Sequence, residues 1–419
     1  MRLIWTELYK ILAQKVIYIA FLLFVLFYSA SFFSQSATRS ETRELQSYYE
    51  TYGGKLTAEK LQWAEQIDAE FQAERKARNE AAEQEQREQK EQQGRQEQQS
   101  PSEAASPAKE QAASHDTLSP EDYNNLLLQY RVASAILNLH SNGLNLRESY
   151  ARSEAERAEA EGSLYRQAEA KKMLASFNKV GTPDYAMNQE VWNSMLRYLN
   201  EVGYLFAAAL TILGVSSVFS REYNVRMDSL IFSSRHGRAR MTWAKVAAVV
   251  LYCTMVVLAF AAVVLLLNGW YYGFSGWDKK LINLHNLYNH TAFTGSISLY
   301  FIMQQLYAIA GCIALGLLVM LCSSRTRSPL IPAFICGTIM MLPMLIILLN
   351  LSDSFIFELV FRLFRYMEFI ELSMLGDNFY LNYFGTPVLY RYGIIPILAL
   401  YYVIPVVLLH WSIRRREVA

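Results

Sequence analysis

Apolar side chains form six long runs along the chain, and polar and charged side chains fill the stretches between them. A run of about 18 apolar residues is long enough to cross the ~30 Å hydrocarbon core of a bilayer as a helix. The pattern therefore predicts an all-α integral membrane protein with six transmembrane helices. Their expected limits are 16–33, 198–219, 241–267, 296–321, 330–350 and 394–411.

The first of these runs, 16–33, is longer than the apolar core of a usual signal peptide, and no convincing A-x-A cleavage site follows it. We therefore expect a retained anchor. Just before it, residues 1–15 place Ile4, Leu8 and Ile11, together with Leu12, on one helical face. Such a pattern predicts a helix lying in the membrane interface, on the cytoplasmic side.

A polar segment, 34–195, separates the first two spans and is predicted to be a helical hairpin or coiled-coil domain outside the membrane. Between Phe71 and Leu118 alanine is the only apolar side chain, so 72–117 cannot bury a core and is expected to be loose, as a solvated helix or a linker. Ser119 before Pro120 suits the start of a further helix. Two interpretations are open: a spacer without a ligand, or a domain that captures or shields a substrate.

The region 196–419 is predicted to hold the other five spans and one outer amphipathic helix, 355–375. In that helix, charged side chains recur every three or four residues among aromatic and aliphatic ones. Five charges facing lipid would be costly, so we expect a helix in the outer interface, or one dipping into it, rather than a seventh span. The five charged residues are Glu358, Arg362, Arg365, Glu368 and Glu371.

Basic residues decide the orientation. With six spans, the basic residues that flank them all fall on one side of the membrane. They are Lys10, Lys15, the basic residues of 220–245, Arg325, Arg327 and Arg414 to Arg416. The opposite connection 351–391 is less basic, with five acidic against three basic side chains. Short cytoplasmic loops carry an excess of lysine and arginine. We therefore expect a multi-pass protein of the cell (plasma) membrane with both termini cytoplasmic and 34–195 extracytoplasmic.

The loop 220–245 is the most basic connection, with six lysine and arginine side chains against two acidic ones. Its middle places Tyr223, Met227, Leu230 and Ile231 at helical spacing. A loop that only joined two spans could be a few residues long. We therefore expect a short helix here that another protein contacts.

Motifs of catalysis and of metal or cofactor binding are missing from the sequence. There is no GxxxxGKS or GxxxxGKT loop, no HExxH and no GxSxG. His285 and His290 are too few for a metal site, and the four cysteines lie in apolar runs without a CxxC. We therefore expect no enzyme activity, no bound cofactor or metal and no nucleic-acid partner, with membrane lipid beside the basic loop.

The layout of an interfacial helix, a first span, an external insert and five more spans resembles the permease subunits of type-2 ATP-binding-cassette exporters. In that family the second span is followed by an acidic residue, a short helix, a turn of small residues and a basic stretch ending in lysine. Here Glu222, 223–232, Ser233–Ser234, 235–240 and Lys245 match those features. The resemblance covers 1–33 and about 196–419. The insert 34–195 departs from the short outer loop of many members.

The resemblance implies that a separate ABC ATPase subunit binds ATP and docks on the loop 220–240 as on a coupling helix, with the helix 1–15 as a second contact. A second permease, either a copy or a homologue, would complete a dimer, and the substrate would be a peptide, a lipid or an amphipathic compound. The residues implied to couple to the ATPase are Glu222, Tyr223, Arg226, Met227, Asp228, Leu230 and Ile231.

Two other functions are compatible with the same layout. One is a non-transporting membrane scaffold or secretion-apparatus component whose working part is the external helical domain. The other is an intramembrane enzyme, which would need a pair of catalytic residues inside the spans, and the sequence offers none.

Overall fold

The computed structural model describes residues 2–34, 36–96, 118–199, 203–224, 237–284, 288–348 and 375–414. The chain is mostly helical, as its apolar pattern predicts. In chain order the helices are α1 (Arg2–Leu12), α2 (Lys15–Ser34), α3 (Ser36–Tyr52), α4 (Ala58–Gln96), α5 (Pro120–Ala160), α6 (Leu164–Val180), α7 (Gln189–Tyr198), α8 (Tyr204–Val215), α9 (Ser217–Asn224), α10 (Gly237–Tyr272), α11 (Ile297–Arg325), α12 (Leu330–Leu348) and α13 (Tyr390–Arg414).

Two short antiparallel strand pairs accompany these helices. They are β1 (Gly54–Lys55) with β2 (Tyr185–Ala186), and β3 (Tyr380–Tyr383) with β4 (Thr386–Leu389). The all-α prediction missed both. At the β3–β4 turn, Phe384 and Gly385 have φ angles of 51° and 86°, and the Gly385 N–H donates to Asn382 Oδ1 over 2.8 Å. An asparagine that hydrogen-bonds the backbone ahead of it is a common turn device.

Five helical stretches are long and apolar enough to cross a membrane, which is compatible with a multi-pass membrane protein. They are Lys15–Ser34, Leu205–Tyr223, Arg240–Tyr272, Ile297–Arg325 and Tyr390–Ile413. The remaining predicted span, 330–350, is the fifth in chain order and coincides with α12, whose apolar described part is the shorter Leu330–Met341. Of the predicted outer helix 355–375, all but Leu375 lies outside the described residues.

The core of the membrane helices is built around α11, which packs against α8, α9, α10, α12 and α13. Gly316 allows α10 to approach closely, because a Cβ there would lie 2.8 Å from Val249 Cγ1 and 3.1 Å from Cys253 Sγ. By contrast, α2 leaves much of its apolar surface exposed, including Leu22, Leu23 and Phe27. Such a surface suits contact with lipid or with another membrane helix.

The chain forms two compact units. The larger comprises Met1–Arg43, Asn145–Thr182 and Gln189–Ala419, and the smaller comprises Glu44–Leu144 and Pro183–Asn188. The smaller unit has its own core, in which the Phe71 and Tyr130 rings stack with centroids 4.0 Å apart. The predicted helix start is confirmed: α5 begins at Pro120, and Ser119 Oγ accepts from the Asp122 N–H. Helix α4 continues to Gln96, so the first half of the segment 72–117 is helical.

Candidate functional site

Four helix ends meet at one end of the membrane bundle. Helix α1, helix α9, the start of α10 and the end of α11 converge there, and we call this the basic end. Helix α1 packs Leu8 and Ile11 into the protein, mainly against α10, whereas Trp5 and Tyr9 are 65% and 72% exposed. A helix with a buried apolar side therefore occupies most of the predicted range, and its position in the membrane interface stays a prediction. The side chains buried on its predicted apolar face pack against the protein, and its aromatic face is left for the surroundings.

A closed ring of four charges lies at this junction. Lys245 Nζ is 2.7 Å from Glu7 Oε2 and 2.8 Å from Glu222 Oε1. Lys10 Nζ is 2.5 Å from Glu7 Oε1 and 3.1 Å from Glu222 Oε1. Each lysine therefore bridges both carboxylates, and the ring has no net charge. It joins α1 to α9 and α10, although Lys10 and Glu222 are 212 residues apart in the sequence.

The Lys245 ammonium is fully satisfied. Its side chain is only 1% exposed, and besides the two carboxylates it donates to Val218 O over 3.0 Å. Three acceptors match the three hydrogens of an ammonium group. The Phe219 ring lies beneath it, 5.1 Å from Nζ to the ring centroid.

Burial makes this ring sensitive to the loss of any member. Attraction between opposite charges offsets the cost of removing them from water only while the partners are complete. Removing one partner from a buried pair costs roughly 3–5 kcal/mol, because a charge is left buried without compensation. For Lys10, burial lowers the pKa, but hydrogen bonds and attraction to Glu7 and Glu222 outweigh it, so the pKa is raised.

The break between α8 and α9 is held by a serine from α11. Ser323 Oγ accepts from the Phe219 N–H over 3.2 Å and from the Ser220 N–H over 3.4 Å, and it donates to Ser216 O over 2.7 Å. The hydroxyl thus satisfies backbone groups where the helix is interrupted. One residue on, Ser324 O accepts from Tyr223 OH over 3.2 Å. Helix α9 is therefore attached to α11 as well as to α1 and α10.

A cleft of about 170 Å³ lies between α1 and α9. It is lined by Glu7, Lys10, Ile11 and Gln14 on one side and by Ser217, Val218, Arg221 and Glu222 on the other. Among the lining residues, Gln14 also joins α1 to α8, since its Nε2 donates to Gly214 O over 3.1 Å. The charged ring therefore borders a recess large enough for a side chain.

Of the predicted coupling residues, the structure places Glu222 and Tyr223 in this junction. The other five, Arg226, Met227, Asp228, Leu230 and Ile231, lie outside the described residues. Lys245, expected only as the end of the basic stretch, is the centre of the ring.

Sequence reasoning missed Glu7, Gln14 and Ser323. Glu7 offered a signal, because it lies three residues after Ile4 and four before Ile11, next to the apolar face of α1. An acidic side chain at the edge of a buried helix face predicts a cationic partner. Nothing in the sequence pattern marks Ser323 among the small residues that end α11.

Within the described part of the chain, no group of three or more histidine, cysteine, aspartate or glutamate side chains is arranged to hold a metal ion. The four cysteines are free, and Cys322 Sγ lies 3.9 Å from Cys336 Sγ.

Comparison of the chain with family models, with curated proteins and with solved structures gives no match.

Proposed function

We propose that this chain is the membrane-spanning permease subunit of a type-2 ATP-binding-cassette exporter. A separate ATPase subunit supplies the energy, and a second permease, identical or homologous, completes the transporter. The exported substrate is a peptide, a lipid or an amphipathic compound. This chain binds no ATP itself.

One observation carries the proposal: the ring of Glu7, Lys10, Glu222 and Lys245 holds together the three elements that such a permease would present to its ATPase. These are the helix α1, the helix α9 that leads into the loop 225–236, and the start of α10. A loop that transmits movement must have a rigid base. Without one, displacement of the loop would be lost in local distortion before it reached the spans.

The loop contacts the ATPase, and the ring transmits movement of the loop to the spans. In the proposed mechanism, Met227, Leu230 and Ile231 fill a groove on the ATPase, and Arg226 and Asp228 fix the register. ATP binding closes the ATPase pair and draws the two loops together. Since α9 is fixed to α10 and α11, the spans move with it and the path opens outward.

The same proposal sets the topology. The basic end faces the cytoplasm with both termini, the protein lies in the cell membrane, and the segment 34–195 is extracytoplasmic. The exposed Trp5 and Tyr9 of α1 then lie at the headgroup level, where amphipathic aromatic rings are favoured.

A pull-down tests the proposal. Tagged wild-type chain and its Met227→Asp and Met227→Leu variants are purified in mild detergent, and co-purifying proteins are identified by mass spectrometry. We expect an ATPase without membrane spans to accompany wild type and Met227→Leu. Met227→Asp should lose at least nine-tenths of it while reaching the membrane at the wild-type level, because a charge in an apolar groove is left unpaired.

Recovery of the ATPase with Met227→Asp at the wild-type level would contradict the coupling assignment. Absence of any ATPase from all three preparations would instead favour the membrane scaffold. The observation that supports this second candidate is the smaller compact unit, whose own aromatic core could serve as an interaction domain. Partners that depend on Glu44–Leu144 would then be the ones to identify.

A further inference from the structure

At the opposite end of the membrane bundle, one buried guanidinium in the last part of α5 contacts two other segments of the larger unit. They are the end of α6 with the residue that follows it, and the connection that leads into α11. The guanidinium belongs to Arg147, which is only 4% exposed. None of the functions predicted from the sequence uses this residue.

The protein holds this guanidinium in one position. Arg147 Nη1 donates to Gly181 O over 2.5 Å, and Nη2 donates to Thr291 O over 3.1 Å. The Phe177 ring lies under the group, 4.5 Å from Cζ to the ring centroid. A guanidinium has five N–H hydrogens, so these two bonds leave three. Its Nε is buried and has no hydrogen-bond partner.

A second buried nitrogen without a partner lies nearby. His290 Nδ1 makes no hydrogen bond, and its ring packs on Tyr150 with centroids 4.6 Å apart. Burial, and secondarily the charge of Arg147, lowers the pKa of His290. The imidazole is therefore neutral near pH 7, where it offers a hydrogen bond rather than a charge.

Among the described residues, no carboxylate forms an ion pair with Arg147. Burial lowers the pKa of Arg147 to about 10, the direction expected for a cation without a nearby carboxylate. Asp377 lies in the segment that pairs with Thr291, but burial raises its pKa to about 6. The Asp377 carboxylate makes no ion pair with Arg147, and the direction of its pKa shift is the opposite of the one that a close guanidinium would cause.

The backbone is uncrowded at Gly181, next to the carbonyl that accepts from the guanidinium. Gly181, whose carbonyl accepts from Arg147, has a φ of 76°, and the position that a Cβ would occupy has no atom within 4 Å. A buried cation without a counter-ion is costly, and buried charges are normally paired with an opposite charge, which a bound anion would supply here. The free Nε and Nη hydrogens form the fork that matches carboxylate and phosphate oxygens.

We propose that Arg147 and His290 form a binding site for an anionic group, a carboxylate or a phosphate, at this end of the membrane bundle. The anion binds the free edge of the guanidinium and accepts a hydrogen bond from the imidazole. It is supplied either by a small molecule in solution or by a lipid headgroup, since α11 begins seven residues after His290. The site does not depend on an ATPase partner, so it is separate from the coupling proposal.

Inorganic phosphate is the first probe. The purified full chain in neutral detergent is titrated with phosphate at constant ionic strength, with chloride as the replaced ion, and its Tm is followed. Binding to the folded state raises Tm, so wild type should show a saturating rise of a few degrees. Arg147→Gln should bind phosphate at least tenfold more weakly. Arg152→Gln, the same change at an exposed position of α5, should behave as wild type.

A second arm tests the lipid source. The chain is reconstituted in nanodiscs of phosphatidylcholine with one-fifth phosphatidylglycerol and re-extracted, and bound lipid is counted by native mass spectrometry. One retained phosphatidylglycerol per wild-type chain, lost in Arg147→Gln, identifies a headgroup. A rise of Tm with phosphate, without retained phosphatidylglycerol, identifies a soluble anion.

His290→Phe keeps the ring packing on Tyr150 but removes both nitrogens, so it tests the site even if Arg147→Gln does not fold. We expect severalfold weaker phosphate or lipid binding by this variant. The proposal is overturned if wild type binds neither probe. It is equally overturned if the folded variants at Arg147 and His290 bind as wild type does, because the anion then lies elsewhere.

Discussion

The two ends of the membrane bundle differ in whether a buried basic side chain has carboxylate partners. At the basic end, Lys245 gives all three of its hydrogens to protein acceptors, and two carboxylates balance two ammonium groups. At the other end, Arg147 keeps three N–H hydrogens free and has no carboxylate partner among the described residues. A closed neutral ring fixes helices to one another, whereas an open guanidinium can bind a ligand. A buried basic side chain thus stabilises helix packing at one end and is available to bind an anion at the other.

The largest effect is expected from breaking the ring at Lys245. Lys245→Met leaves Glu7 and Glu222 buried close together with only the half-exposed Lys10 between them. Removing one partner of a buried pair costs roughly 3–5 kcal/mol of the free energy of unfolding. Chemical or thermal unfolding of the purified chain measures this loss.

Two further variants show whether the loss arises from unpaired charge. Lys76→Met removes the exposed pair Lys76–Glu80 and should cost less than about 1 kcal/mol. In the double variant Lys245→Met with Glu7→Leu, Glu222 keeps Lys10, and a buried pair has been replaced by apolar groups, which is often close to neutral. The double variant should therefore regain much of the stability. A double variant as unstable as Lys245→Met alone would show that the ring does not act through its charge balance.

At the end that holds Arg147, Asp377 makes the free energy of unfolding depend on pH. Its pKa is raised from 3.8 to about 6 by burial, so the folded state binds a proton more tightly than the unfolded state does. This group therefore favours folding below pH 3.8, and that contribution is lost as the pH rises through 6. Two pKa units correspond to at most about 3 kcal/mol, and residual exposure reduces this value.

The test is the free energy of unfolding between pH 4 and pH 7 for wild type and Asp377→Asn. In wild type, ionisation of Asp377 should lower the free energy of unfolding as the pH rises from 4 to 7. We expect Asp377→Asn to lack this decrease. Glu222→Gln at the basic end leaves Asp377 in place, so it should lower stability while keeping the part of the slope that Asp377 contributes. Identical slopes for wild type and Asp377→Asn would remove Asp377 from the comparison.

Sequence periodicity predicted what depends on neighbours along the chain. Leu8 and Ile11 share a helical face, Ser119 precedes Pro120 at a helix start, and five of the six apolar runs form helices long and apolar enough to cross a membrane. The ring could not be predicted in this way, because Glu7 and Lys245 are 238 residues apart and no local pattern joins them. The β3–β4 hairpin was missed for another reason: its strands are four residues long and lie between long apolar helices.

The smallest effect is expected at Ser323, which holds the break between α8 and α9 without any charge. Ser323→Ala removes a hydroxyl that accepts from the N–H groups of Phe219 and Ser220 and donates to Ser216 O, all buried. Leaving buried backbone groups unsatisfied costs about 1–3 kcal/mol. Because α9 is also fixed by the ring, we expect the low end of that range for global stability.

The more specific consequence is local. Hydrogen exchange of amides in Ser217–Asn224 should become faster in Ser323→Ala, since α9 loses its attachment to α11 while the ring still fixes it to α1 and α10. Ser153→Ala is the matched control, because the Ser153 hydroxyl donates to the Tyr150 carbonyl at an exposed site. This variant should change neither the global stability nor the hydrogen exchange of α9. Faster exchange in α9 with unchanged exchange in α1 would show that the serine and the charged ring secure different sides of the same helix. Equal acceleration in both helices would mean that the basic end opens as one unit, and the ring alone would then be too weak to hold it.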